Sequence, residues 1–199
     1  MKKRYLQISS AFSLFLCLLL WPFCYATAGN PERIHFRRLS VNNGLSQNTV
    51  LALTQDHNGK IWAGTIDGLN WYDGYRFAPL YKDLNDSTSL SNNHVYSLCT
   101  DEEGTVWVGT LTGLSRYNII GNNFTNYYLP GGLPVQIFNI EDLNDKHQLL
   151  LGTNSGLIVF DKKTGYMTRH PLLRDATVYS ICKMNDEVLL GTSSGIYYY

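Results

Sequence analysis

The sequence has no excess of charge of either sign: 16 Lys and Arg face 16 Asp and Glu in 199 residues. This excludes the basic face that nucleic acid requires. Charged residues are few, at 16%, while apolar ones reach 44%, so an acidic disordered chain is excluded as well. Proline and methionine are sparse, at 6 and 3, and glycine follows no collagen period. No window shows a helical period, and only one long apolar run occurs, which excludes coiled coils and multi-span membrane proteins. What the chain does have is 17 Gly, 14 Tyr and 4 Trp, a composition typical of β structure. The length suits one domain with a real core.

The apolar run lies at the start. Lys2, Lys3 and Arg4 precede a stretch from about Leu6 to Tyr25, and Ala26-Thr27-Ala28 follows as a small-x-small sequence. The pattern predicts a signal peptide over 1–28, with an uncleaved anchor as the competing reading. Cys17 and Cys24 lack the preceding small residue of a lipoprotein site. Removal takes three basic residues, leaving a mildly acidic mature chain whose cysteines are Cys99 and Cys182.

The rest is a repeat. Gly64-Thr65-Ile66-Asp67-Gly68-Leu69 recurs as Gly109-Thr110-Leu111-Thr112-Gly113-Leu114. Gly152-Thr153-Asn154-Ser155-Gly156-Leu157 and Gly191-Thr192-Ser193-Ser194-Gly195-Ile196 follow, with first glycines 45, 43 and 39 residues apart. Upstream, Val50–Asp56 aligns with Val95–Asp101, and Ile137–Ile140 and Val178–Ile181 open the later copies. In unit one the patterning predicts strands at Val50–Gln55, Lys60–Thr65, Leu69–Tyr72 and Tyr75–Tyr81. The turns between them are Asp56-His57-Asn58-Gly59, the Gly68 turn and Asp73-Gly74. Four antiparallel strands every 40 to 45 residues define an all-β propeller blade.

Leu45-Ser46-Gln47-Asn48-Thr49-Val50 and Leu90-Ser91-Asn92-Asn93-His94-Val95 are matching linkers between blades. The expected organisation is an outer strand and linker over 29–49, then blades at 50–94, 95–136 and 137–177. An incomplete blade follows at 178–199. The opening strand, Ile34–Leu39, would either close a four-bladed ring or belong to a larger ring of which this chain is an N-terminal part; the larger ring is expected. Cys99 and Cys182 share one repeat position two blades apart, beyond bridging distance, so two buried free thiols are expected.

The segments Gln55–Leu69 and Thr100–Thr110, with Gly44-Leu45-Ser46-Gln47-Asn48 before them, resemble the two-component regulator propeller repeat. The likeness spans 34–199. It weakens in units three and four, where Gln148–Leu151 and Val188–Leu190 replace the Trp-containing strand and Met184–Glu187 replaces the turn. The resemblance implies the periplasmic sensor region of a Bacteroidetes-type hybrid histidine kinase, responsive to glycan breakdown products. It implies partners in an oligosaccharide, a second propeller or the rest of the kinase, and a homodimeric parent. It implies no nucleic acid, no membrane contact by the mature segment, no cofactor and no catalysis in this chain. A glycan-active enzyme and a secreted interaction scaffold are the alternatives.

Candidate residues are few. Trp62 and Trp107 could stack on sugars, but their repeat positions predict inter-blade core. Asp56 with His57, and Asp101 with Glu102 and Glu103, predict turns rather than metal or acid–base chemistry. The Gly-Thr-x-x-Gly units lack the phosphate-loop lysine and helix. No carboxylate pair and no nucleophile elbow is found. His35, His57, His94, His147 and His170 lack zinc spacing. His94, Tyr96, Arg76 and Tyr179 break the repeat and are the better functional candidates. No catalytic, metal or ligand-binding residue is assigned.

Overall fold

The computed structural model describes residues 35–143, 147–185 and 187–198. The expected signal peptide lies outside these. Fifteen strands follow a 3-10 turn at Val41–Asn43. β1 (Val50–Gln55), β2 (Ile61–Thr65), β3 (Gly68–Tyr72) and β4 (Phe77–Leu80) form the first antiparallel sheet, in sequence order. β5 (Val95–Thr100), β6 (Val106–Thr110), β7 (Leu114–Asn118) and β8 (Asn123–Tyr127) form the second. β9 (Ile137–Leu143), β10 (Gln148–Thr153), β11 (Gly156–Asp161) and β12 (Met167–Arg169) form the third. β13 (Val178–Met184), β14 (Glu187–Thr192) and β15 (Gly195–Tyr198) form a three-stranded fourth. These are propeller blades, as the repeat predicts. The first strands β1, β5, β9 and β13 adjoin one another successively and are therefore the inner strands.

The core sits between blades. Trp62, Leu69, Val95, Val106 and Phe124 fill the first junction. Trp107, Leu114, Ile137, Leu149 and Phe160 fill the second. Leu150, Leu157, Val178, Val188 and Leu190 fill the third. The second strands β6 and β10 are buried on both faces, which is why they read as unbroken apolar runs. The outward faces of the end blades have no such cover: Leu53 and Ile196 are exposed.

The motif Gly-Thr-x-x-Gly now has a mechanism. Its threonine hydroxyl donates across the turn: Thr65 to the Gly68 carbonyl at 2.9 Å, Thr110 to Gly113 at 2.9 Å, Thr153 to Gly156 at 2.7 Å and Thr192 to Gly195 at 2.8 Å. Its first glycine is where the next blade touches. A Cβ on Gly64 would lie 2.5 Å from Val95 Cγ1, and one on Gly152 would lie 3.0 Å from the Val178 carbonyl oxygen. Ser46 and Ser91 of the linkers join Thr65 and Thr110 through hydroxyl hydrogen bonds of 3.0 and 2.9 Å.

Two expectations are corrected. An opening outer strand is expected at Ile34–Leu39, but His35–Leu39 form no strand and Phe36 is exposed. A strand needs an edge to pair with, and this segment makes no such pairing. The cysteines are free, but Cys182 is exposed and only Cys99 is sheltered. The third blade packs over Cys99, whereas no following blade covers β13. Burial, then the negative charges of Asp142, Glu141 and Asp101, pushes the Cys99 thiol up to about 12. A maleimide at pH 8 is therefore expected to label Cys182 rapidly in the native chain and Cys99 only after unfolding, because the thiolate is the nucleophile. Mass spectrometry of the labelled peptides checks this.

Candidate functional site

Trp62 and Trp107 are 1% and 2% exposed, closed to any ligand, as core residues should be. Each is held by the aspartate of its own blade. Asp56 accepts from the Asn58 and Lys60 amides and, at 2.9 Å, from Trp62 Nε1. Asp101 repeats this with Glu103, Thr105 and, at 2.8 Å, Trp107 Nε1. These carboxylates build the turn and anchor the indole. Lys162 Nζ reaches Asp101 at 3.5 Å and Asp142 at 3.1 Å, tying blade three to the turn of blade two. Arg76 lies apart on the outer hairpin of blade one, 3.7 Å from Asp73. Among the described residues no three His, Cys, Asp or Glu side chains cluster as metal ligands.

The other three repeat-breaking residues come together. His94 stacks on Tyr96, with ring centroids 4.3 Å apart. Tyr96 meets Phe138 edge-on at 5.4 Å, and Phe138 meets Tyr179 at 5.6 Å. The four rings form one ladder across blades two, three and four. Phe138 carries the middle of it and was not among the candidates, although it occupies the repeat position of Tyr96 and Tyr179.

The backbone explains the ladder. In every blade the pairing of the inner strand skips its second residue. The shift falls between Val50 and Ala52, and between Val95 and Ser97. In blade three Gly152 faces Asn139 while Thr153 faces Ile137, passing over Phe138. In blade four it falls between Val178 and Ser180. The skipped residues are Leu51, Tyr96, Phe138 and Tyr179. A bulge leaves the extra residue outside the ladder of hydrogen bonds and re-aims its side chain. Four bulges in register thus collect one side chain per blade at the same end of the inner strands. Tyr96 and Phe138 are half-buried and Tyr179 is 55% exposed, so the rings present an accessible edge. Flat aromatic faces with a polar tip suit stacking on the apolar face of a ring-shaped ligand.

Comparison with known proteins supports the repeat and the fold. Residues 44–67 and 89–112 match the family described as two component regulator propeller. A 53-residue stretch is 42% identical to histidine kinase P4 of Formosa agariphila, covering 27% of this chain and 4% of the kinase. The extracellular domain assigned to a hybrid two component system of B. thetaiotaomicron superposes with a TM-score of 0.67 at 23% identity, over 76% of this chain and 21% of that one. The computationally designed Ika4 protein superposes with a TM-score of 0.58 at 18% identity, over 83% of this chain and 98% of that one. This chain thus spans a small part of the two natural relatives. Among the described residues no helix is long and apolar enough to cross a membrane. The later blades keep the architecture of the earlier ones, and the chain carries the two-component regulator propeller repeat in its first two blades.

Proposed function

We propose that this chain is the ligand-sensing propeller segment of a periplasmic two-component signalling protein, responsive to carbohydrate. The segment binds and does no chemistry itself. The observation that carries the reading is the ladder His94–Tyr96–Phe138–Tyr179, placed at one end of the inner strands by in-register bulges. A pyranose ring has an apolar C–H face that such rings accept, and its hydroxyls find the tyrosine and histidine tips. A ligand lying along the ladder touches three blades at once. It would favour one relative blade arrangement over another, a population shift that a neighbouring propeller or the rest of a kinase can read. A larger ring, an oligosaccharide ligand and a homodimeric parent belong to the same reading.

The test is calorimetric titration of the chain with an oligosaccharide panel. Binding by at least one oligosaccharide is expected, weakened about tenfold by Tyr96→Ala or Tyr179→Ala, the loss of one stacked ring. Binding untouched by both substitutions would remove the ladder from the account. Turnover of a glycan, abolished by replacing one carboxylate, would replace the sensor by an enzyme.

A further inference from the structure

The outer edge of blade three carries two cations, Arg169 and Arg174, with no counter-charge among the described residues. Arg169, the last residue of β12, and Arg174 line one cleft with Leu129, Leu133 and Met167. Among the described residues no carboxylate lines it. Arg169 Nε is buried and has no hydrogen-bond partner. Among the described residues neither guanidinium enters an ion pair. A buried donor left unmade is costly, and guanidinium is the donor whose planar fork fits an oxyanion.

The cleft is built by anchored elements. Arg169 pairs in register with Ile158, a fully buried core residue, through β12 and β11. Arg174 follows the 3-10 turn Pro171–Leu173, whose Leu173 is 5% exposed in the third inter-blade core. That turn rests on Gly156: a Cβ there would overlap the Leu173 carbonyl oxygen, and the glycine's φ of +95° suits no other residue well. Both arginines are therefore held from behind by packed backbone. Arg169 is half-buried on a strand, and Arg174 is exposed at the start of the connection to β13.

We propose that this cleft is an oxyanion site: it binds a carboxylate or sulfate group of a ligand, with Arg169 Nε–H as the buried donor and Arg174 as the second cation. The apolar walls Leu129 and Met167 exclude water from the buried side and strengthen the charge-assisted hydrogen bonds. Arg169 lies level with Ile140, in the middle of β9, through the pairings Ile140 with Leu151, Leu151 with Ile158 and Ile158 with Arg169. The cleft lies at the outer strand of blade three and the aromatic ladder at its inner strand. The cleft's proposal stands without the ladder's.

Sodium sulfate and sodium acetate are the probes, titrated into the chain against sodium chloride of matched ionic strength. Binding is followed calorimetrically and through the Arg169 Nε–Hε resonance. Saturable binding of at least one probe is expected, weakened about tenfold by Arg174→Ala and at least as much by Arg169→Met. Sulfate alone binding identifies a tetrahedral dianion as the ligand group, and acetate binding identifies a carboxylate. Arg169→Met keeps the apolar stem and removes the unpaired donor, so its thermal midpoint should hold or rise. Three results overturn the proposal: no saturation by either probe, binding unchanged in both variants, or a clear fall in the Arg169→Met midpoint, which would reveal an internal partner for the guanidinium.

Discussion

Lys162→Met is expected to cost about 3–5 kcal/mol of stability, the range for breaking a buried ion pair from one side. The Lys162, Asp101 and Asp142 side chains are 9%, 0% and 7% exposed. Methionine keeps most of the volume and leaves two carboxylates without their cation. Asp101 also anchors Trp107, so the loss reaches the second inter-blade core. The lysine itself reports the balance. Burial opposes its charge, but the hydrogen bond and attraction of Asp142, followed by Asp101 and Glu103, outweigh it and hold the pKa above the ordinary 10.5. Because the folded value is the higher one, this contribution is complete below 10.5 and fades as pH rises through the folded value. Urea unfolding at pH 7 and again above pH 11 measures both effects. An unchanged midpoint in the variant at pH 7 would show that the charges are solvated in solution.

Trp107→Ala is expected to be as severe or worse, at about 4–5 kcal/mol, the upper end for deleting a large buried aromatic. The indole packs edge-on against Phe160 at 5.2 Å and near Tyr127 at 6.1 Å, and its N–H satisfies Asp101. Substitution opens a cavity and leaves a buried acceptor with one donor fewer. Trp107→Phe should restore most of the packing while still losing the hydrogen bond, and so fall between. Lys162 and Trp107 share Asp101, so their costs should not add; a double-mutant cycle should give a coupling of roughly 0.5–3 kcal/mol. Additive costs would mean that Asp101 does not link the two sites.

Much of this fold is legible in the residues. Val50–Gln55 is a strand in both readings, because its edges are marked by the linker before it and by Asp56-His57-Asn58-Gly59 after it. The Trp and Asp pairs are legible because they recur at fixed spacing, and recurrence separates architecture from chemistry. The candidate site is only half legible. His94, Tyr96 and Tyr179 stand out as departures from the repeat, but nothing in the sequence says that they meet. Phe138 hides because an apolar residue in a strand reads as core; only the pairing register shows it to be the bulged residue. Cys182 and Cys99 are equivalent by repeat and differ by neighbour, and a neighbour is a property of the assembled blades. Arg169 gives no local signal at all. Its significance is the lack of a partner, which exists only in three dimensions.

The glycine that opens each Gly-Thr-x-x-Gly unit bears on how such chains arise. Gly64 and Gly152 each receive the first residue of the succeeding inner strand, Val95 and Val178, in the same notch. Socket and plug are thus both written within a single repeat. A duplicated unit inherits a socket for whatever follows it and a plug for whatever precedes it, with no compensating change elsewhere. Gene duplication and unequal recombination can then lengthen the array one cassette at a time. The bulged position, which takes no part in that joint, is left free to vary from copy to copy and so to acquire specificity.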